Sequence, residues 1–204
     1  CFSSYANNFS KKADSSTALS RTIDHINLLV RPKGDQQFSH SLSVKKTVVS
    51  FRLFSTELKT NLMQAVKQGG HPNGVQVCSV IAPEIQKKLA SDGWTVARTA
   101  LKYRNPANKP DQWEKQNLDW MLSASQKGEP LATMAKAEII EEQGKKTFRF
   151  IKAIPMDTMC VACHGQTIAE EVKTKISTLY PADLATGFTP GELRGAFTLQ
   201  KQLN

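Results

Sequence analysis

The amino-acid sequence predicts an α+β domain, on three observations. Apolar residues recur at spacings of three and four over residues 46–68 and again over residues 168–179, the pattern of helices with one apolar stripe. Residues 94–104, 131–141, 147–154 and 193–199 read as strands instead, by alternation or by strand-like composition. Gln143-Gly144 separates two of these runs and reads as a two-residue hairpin turn. Helices before, between and after at least four strands, mostly hairpin-linked, make an α+β architecture.

Taken in order, residues 1–17 are rich in Ser, Asn, Lys and Asp, which suits a tether more than a packed element. Ala18, Leu19, Ile23, Ile26 and Val30 then fall on one face of a short helix, ended by Pro32 and Gly34. His25 and His40, here and in the following loop, read as ordinary polar histidines. In the helix over residues 46–68, Phe51, Phe54, Leu58, Leu62 and Ala65 form the stripe. Gly69-Gly70 is its stop, His71-Pro72-Asn73-Gly74 a turn, and a further helix is expected up to Gly93. The strand over residues 94–104 places Ala97, Thr99, Leu101 and Tyr103 on one face. Asp111 with Glu114 predicts a capping box before a helix carrying Leu118, Met121 and Leu122, with Trp113 and Trp120 on another line. Thr167 with Glu170 predicts another helix start, before the stripe Ile168, Val172, Ile176 and Leu179. Leu193, Gly195, Phe197 and Leu199 alternate in the last strand.

With 204 residues the chain can bury one sizeable core. No apolar run approaches the ~20 residues a membrane-spanning helix needs. The net charge of +9 implies attraction to acidic redox partners or anionic surfaces. Nucleic acid is disfavoured, because the lysines are scattered and no recognition motif accompanies them.

Chemistry concentrates at Cys160-Val161-Ala162-Cys163-His164. Two thiols three positions apart, followed at once by a histidine, match covalent attachment of one haem c: Cys160 and Cys163 as thioethers, His164 as the proximal iron ligand. Zinc would need a second ligand pair, and the remaining cysteines, Cys1 and Cys78, stand far apart. Haem c is attached outside the cytoplasm in prokaryotes, so the expected location is extracytoplasmic, on the periplasmic side. Cys1 at the start of the sequence reads as the lipid-bearing cysteine of a bacterial lipoprotein, against the alternative of a simple cut there. Two cysteines for haem, one for lipid and Cys78 for another task leave no disulfide pair.

The sixth iron position is open to Met63, Met121, Met134, Met156, Met159, His25, His40, His71 or Cys78, and the choice sets the potential. Met156 and Met159 lie too close in sequence to the proximal side to swing to the other face. Several blocks resemble, in one order, a family of single-haem c-type domains with a PAS-like fold, found as free haem proteins and as extracytoplasmic sensor modules. They are Gly69-Gly70, residues 77–85, Gly93-Trp94, Arg98-Thr99, residues 101–106, Asn108, residues 148–150, residues 153–155, residues 160–165, Tyr180-Pro181, Ala185, Gly187-Phe188 and residues 194–197. The resemblance runs from about Lys46 to the C-terminus, leaving residues 1–45 as tether and short helix outside a domain over 46–204. It implies a PAS-like antiparallel sheet with flanking helices around one covalent haem, and iron held by His164 and Cys78.

A six-coordinate iron argues against oxygenase or peroxidase chemistry, and no catalytic constellation accompanies it. The expected function is therefore low-potential electron transfer, non-enzymatic, in a domain lipid-anchored to a membrane beside redox partners or a membrane complex. The alternatives are a haem-based redox or gas sensor, or an accessory subunit of a larger assembly. Arg98, Lys102 and Arg104 are candidate partners of the haem propionates.

Overall fold

The computed structural model describes residues 37–203, with side chains from residue 49 onward. The chain divides between Val49 and Ser50 into two units, and the packing below is that of the second. No described helix is long and apolar enough to cross a membrane.

Helix α1 (Gln37–Leu89) is two helices joined across Gly69 and Gly70, which are non-helical. Gly70 has φ 72° and ψ −172°, a conformation a side chain disfavours. The expected stop is thus present, but the turn expected over 71–74 is helix. Pro72 permits this, because two residues past the break its missing N–H falls in a first turn where that donor has no partner anyway. The second half folds back along the first. Lys88 Nζ meets Glu57 Oε1 at 3.2 Å, and a Cβ on Gly74 would lie 2.9 Å from Val66 Cγ2.

Strands β1 (Trp94–Thr99), β2 (Ala135–Glu142), β3 (Lys145–Pro155) and β4 (Leu193–Leu203) form one antiparallel sheet in the order β1-β4-β3-β2. The β2–β3 hairpin turns at Gln143 and Gly144, whose φ values of 52° and 74° are both positive, as a type I′ turn requires. It is the one hairpin of this sheet, fewer than expected, because β4 inserts between β1 and β3. β1 is also shorter than expected: beyond Thr99 the chain turns, and Ala100 N donates to Asn108 O at 3.2 Å. Residues 131–133, expected in a strand, form a 3-10 turn instead.

Helix α2 (Gln112–Gln126) starts at the expected capping box: Glu114 N donates to Asp111 Oδ1 at 2.8 Å, and Asp111 N to Glu114 Oε2 at 3.1 Å. Its Leu118, Met121 and Ala124 pack on Ile151, Ala153 and Ala196 from one face of the sheet. The opposite face receives α1, where Phe197 meets Phe51 and Phe54 edge-on with centroids 4.9 and 5.4 Å apart. Between β3 and β4 run α3 (Val161–His164) and α4 (Glu170–Leu179). The cap expected from Thr167 does not form; Ala169 occupies that position without a side-chain bond. Val172 and Ile176 of α4 are buried with Val75, Ile168 and Tyr180.

One buried ion pair ties the connection after α4 to the turn after β1. Arg104 Nε and Nη2 donate to the two oxygens of Asp183, each at 3.1 Å, with both side chains less than a tenth exposed. Arg104 Nη2 also donates to Cys163 O at 2.6 Å and Ala185 O at 3.2 Å. Asp183 Oδ1 in turn accepts from Ala185 N at 2.9 Å. Removing one member of such a pair strands the other charge. Arg104→Gln should therefore lower unfolding stability by about 3–5 kcal/mol, read as a shifted urea midpoint at unchanged slope. Arg104→Lys should recover little of it, since one ammonium cannot replace a planar fork serving three backbone or carboxylate groups. A midpoint within error of the parent would refute the role given to this pair.

Candidate functional site

A cavity of about 690 Å³ opens between α1 and the α1-facing side of the sheet, a volume within the range of cofactor pockets. Leu58, Leu62 and Val66 line it from the first half of α1, and Val75 and Cys78 from the second. Arg98, Phe197 and Ile154 line it from the sheet. The stripe predicted on α1 thus serves two purposes: Phe54 is fully buried in the core, whereas Leu58 and Leu62 remain half-buried because they face open space.

The C-x-x-C-H segment closes one end. Pro155 ends β3, and Asp157 Oδ1 accepts from Met159 N at 3.2 Å to start the 3-10 turn Thr158–Cys160, which runs into α3. That backbone bond is the first cause holding the Asp157 carboxyl below its ordinary pKa. Residues three apart on a helical turn share a face, and both Cys160 and Cys163 line the cavity. Each is seated in a different apolar cluster: Cys160 against Met156, Ala185 and Phe188, Cys163 against Val75, Ile168 and Val172. Burial raises both thiol pKa values, so at neutral pH these are protonated thiols.

His164 is half-buried on the same wall. Its Nδ1 lies 2.7 Å from Ala185 O, an atom that can only accept, so Nδ1 carries the hydrogen and Nε2 keeps its lone pair. Burial, followed by the charges of Arg194 and Arg104, pushes its pKa well below the usual histidine value, leaving a neutral ring. A neutral imidazole oriented through Nδ1 by a backbone carbonyl is the arrangement in which histidine serves as a metal ligand. The backbone holds it there: Phe188 N donates to His164 O at 3.0 Å, and Gly187 N to Gly165 O at 2.9 Å. Arg104, bonded to both Cys163 O and Ala185 O, locks the ring's acceptor to the helix that carries the ring.

The remaining candidates separate by position. Cys78 is half-buried and faces this cavity, as do His71, Met63 and Met159. Met121 and Met134 are in the core on the other side of the sheet, and Met156 is buried behind Cys160. Cys1 and His25 lie outside the described residues, as does the side chain of His40. Among the basic residues, Lys102 Nζ donates to Thr186 O and sits 4.6 Å from the Phe188 ring centre, and Arg104 belongs to Asp183. Among the described residues, Arg98 alone of that trio is uncommitted to a backbone or carboxylate oxygen, and it faces the cavity. Sequence reading missed Asp183 as the Arg104 partner, Ala185 O as the acceptor for His164, and Arg194 on the cavity wall. Ala185 and Arg194 stood in the blocks of family resemblance; no local pattern singled out Asp183.

In comparisons with known proteins, a solved structure described as that of the cyanobacterial heme-protein Tll0287 superposes with a TM-score of 0.57 at 24% identity, covering 77% of this chain and 92% of that one. This shows the fold, an α+β domain with a four-stranded antiparallel sheet and flanking helices, consistent with a PAS-like architecture. No curated protein matches the chain. The Tll0287-like family profile matches residues 7–201, and so takes in most of the N-terminal stretch as well as the residues from Lys46 on. On that match the chain belongs to the Tll0287-like family.

Proposed function

We propose that the chain is an extracytoplasmic single-haem c-type cytochrome that transfers electrons at low potential. The observation that carries this reading is His164: a neutral imidazole, fixed through Nδ1, beside two thiols that line one cofactor-sized cavity. That the solved relative is described as a heme-protein supports the same assignment. The residues present fit the group: Cys160 and Cys163 would hold it as thioethers, and His164, through Nε2, and Cys78 would be its iron ligands. Bound there, haem supplies a one-electron couple. The protein's part would be to hold the iron through His164 and Cys78, leaving no ligand site for small substrates, with a Cys78 thiolate lowering the potential.

Covalent attachment is tested on denatured protein: haem should stay with the polypeptide in acidified organic solvent, and Cys160→Ala with Cys163→Ala should release it. Free extraction of haem from the parent chain would overturn the reading. For the axial pair, Cys78→Ala should retain attached haem and acquire a carbon monoxide adduct in the reduced state that the parent lacks. An unchanged spectrum would move the assignment to His71 or Met63, which face the same cavity.

A sensor reading has one feature in its favour. Cys78 sits in a helix set off by the Gly69-Gly70 break, so a ligand displaced there would free a separate segment. Carbon monoxide binding by the parent chain itself would select it over electron transfer. Lipidation of Cys1, which would keep the domain beside membrane-bound redox partners, belongs to the same proposal; an intact mass of polypeptide plus one haem, without an acyl addition, from the native membrane fraction would remove it.

A further inference from the structure

Charges on the cavity wall do not balance. Four side chains with permanent positive charge line it: Lys59, Arg98, Arg104 and Arg194. Lys59 faces Asp157 at 3.7 Å, and Arg104 is bonded to Asp183. Arg98 and Arg194 are left without a carboxylate partner among the described residues, where arginine ion pairs involve Arg104 and Arg149. Taking charge out of water without a partner is costly, and folded proteins compensate it.

Both guanidinium groups are held in place. Arg98 Cζ lies 5.6 Å from the centre of the Phe54 ring, and its Nε is buried with no hydrogen-bond partner among the described residues. A buried hydrogen bond left unmade is costly, so a donor orphaned at a cavity wall points to an acceptor that belongs in the cavity. Arg194 reaches the wall because of a β-bulge. Ile154 pairs with Gly195 and Pro155 with Leu193, which leaves Arg194 as the extra residue of β4, turned out of the ladder. Gly195 makes the bulge possible, since a Cβ there would lie 2.5 Å from Thr99 O. Phe188 supports the Arg194 guanidinium at 5.5 Å, and Nη1 donates to Lys102 O at 3.3 Å. Burial first, then Arg98 and Arg104, lower the Arg194 pKa to about 10, which still leaves a cation at neutral pH.

We propose that Arg98 and Arg194 form the seat for the two carboxylates of the haem, one guanidinium for each propionate. This rests on the haem reading above and replaces Lys102 and Arg104 as the propionate partners. Two unpaired cations in the same cavity as two thiols fit a ligand with two carboxylates on one edge and thiol-reactive groups elsewhere on its rim. Planar forks suit carboxylates better than ammonium groups do.

The test is the midpoint potential of intact holo-protein from pH 5 to pH 8. With each propionate compensated by a guanidinium, both stay ionised throughout and the parent profile is flat. In Arg98→Gln and Arg194→Gln one carboxylate is stranded. At pH 8 its uncompensated charge favours the oxidised state by about tenfold, about 59 mV for one electron. Burial then raises its pKa into the measured window, so the potential climbs as the pH falls. Arg98→Lys and Arg194→Lys keep the charge but not the fork: they should hold a flat profile and shift the propionate bending band in resonance Raman, which keeps the proposal testable where a glutamine variant fails to fold. Covalent haem with unchanged potential and profile in both glutamine variants, or an unmoved band in both lysine variants, overturns the seat and leaves the haem reading intact. A parent chain that carries no covalent haem overturns both.

Discussion

The site depends on one guanidinium. Arg104 joins three backbone segments that are remote in sequence: the turn after β1, the helix carrying Cys163 and His164, and the connection carrying Asp183 and Ala185. Together with the backbone bonds from Phe188 N to His164 O and Gly187 N to Gly165 O, that junction fixes Ala185 O against the ring it accepts from, the contact that selects the imidazole's tautomer. The ion pair is buried on both sides, so its geometry, more than its net energy, is what the fold obtains from it. Surface pairs such as Lys115–Asp119 contribute little by comparison.

Around this junction the cavity wall is divided by chemistry. Neutral donors, the two cysteine thiols and the His164 imidazole, cluster on the segment between β3 and β4, while the unpaired cations stand on β1 and β4. A flat ligand with a reactive rim and an anionic rim would meet both sets at once. α1 contributes the apolar lining between them, and its break at Gly69 and Gly70 lets one chain segment supply two lines of residues to the same space.

Much of this was legible in the sequence, for identifiable reasons. The C-x-x-C-H motif is a local arrangement, and its cavity-facing placement follows from one helical turn. The capping box at Asp111 and Glu114 and the turn at Gln143-Gly144 are equally local, and both formed as read. Tertiary features were harder. The helical run through Pro72 looked like a turn, because proline reads as a breaker unless one knows that a helix is just beginning. β1 looked longer than it is, because Leu101 to Arg104 keep strand-like composition while their backbone turns away to set Arg104 in place. Thr167 failed as a cap although the spacing invited it. The division of labour among basic residues could not be read at all: Arg98, Lys102 and Arg104 differ only in which partners the fold brings within reach.

The strand order has a consequence for how the molecule is assembled. β4 lies between β1 and β3, and its pairing with β1 joins Trp94 to Lys201, residues about a hundred positions apart. During synthesis β1, the β2–β3 hairpin and the cysteine motif all emerge before the strand that unites them, so until β4 docks the two thiols belong to a long, open loop. Closing that loop is the entropically expensive step. Docking of β4 also brings Arg194, Gly195 and Phe197 to the cavity that the two thiols line, so the sheet side of that wall is the part completed last.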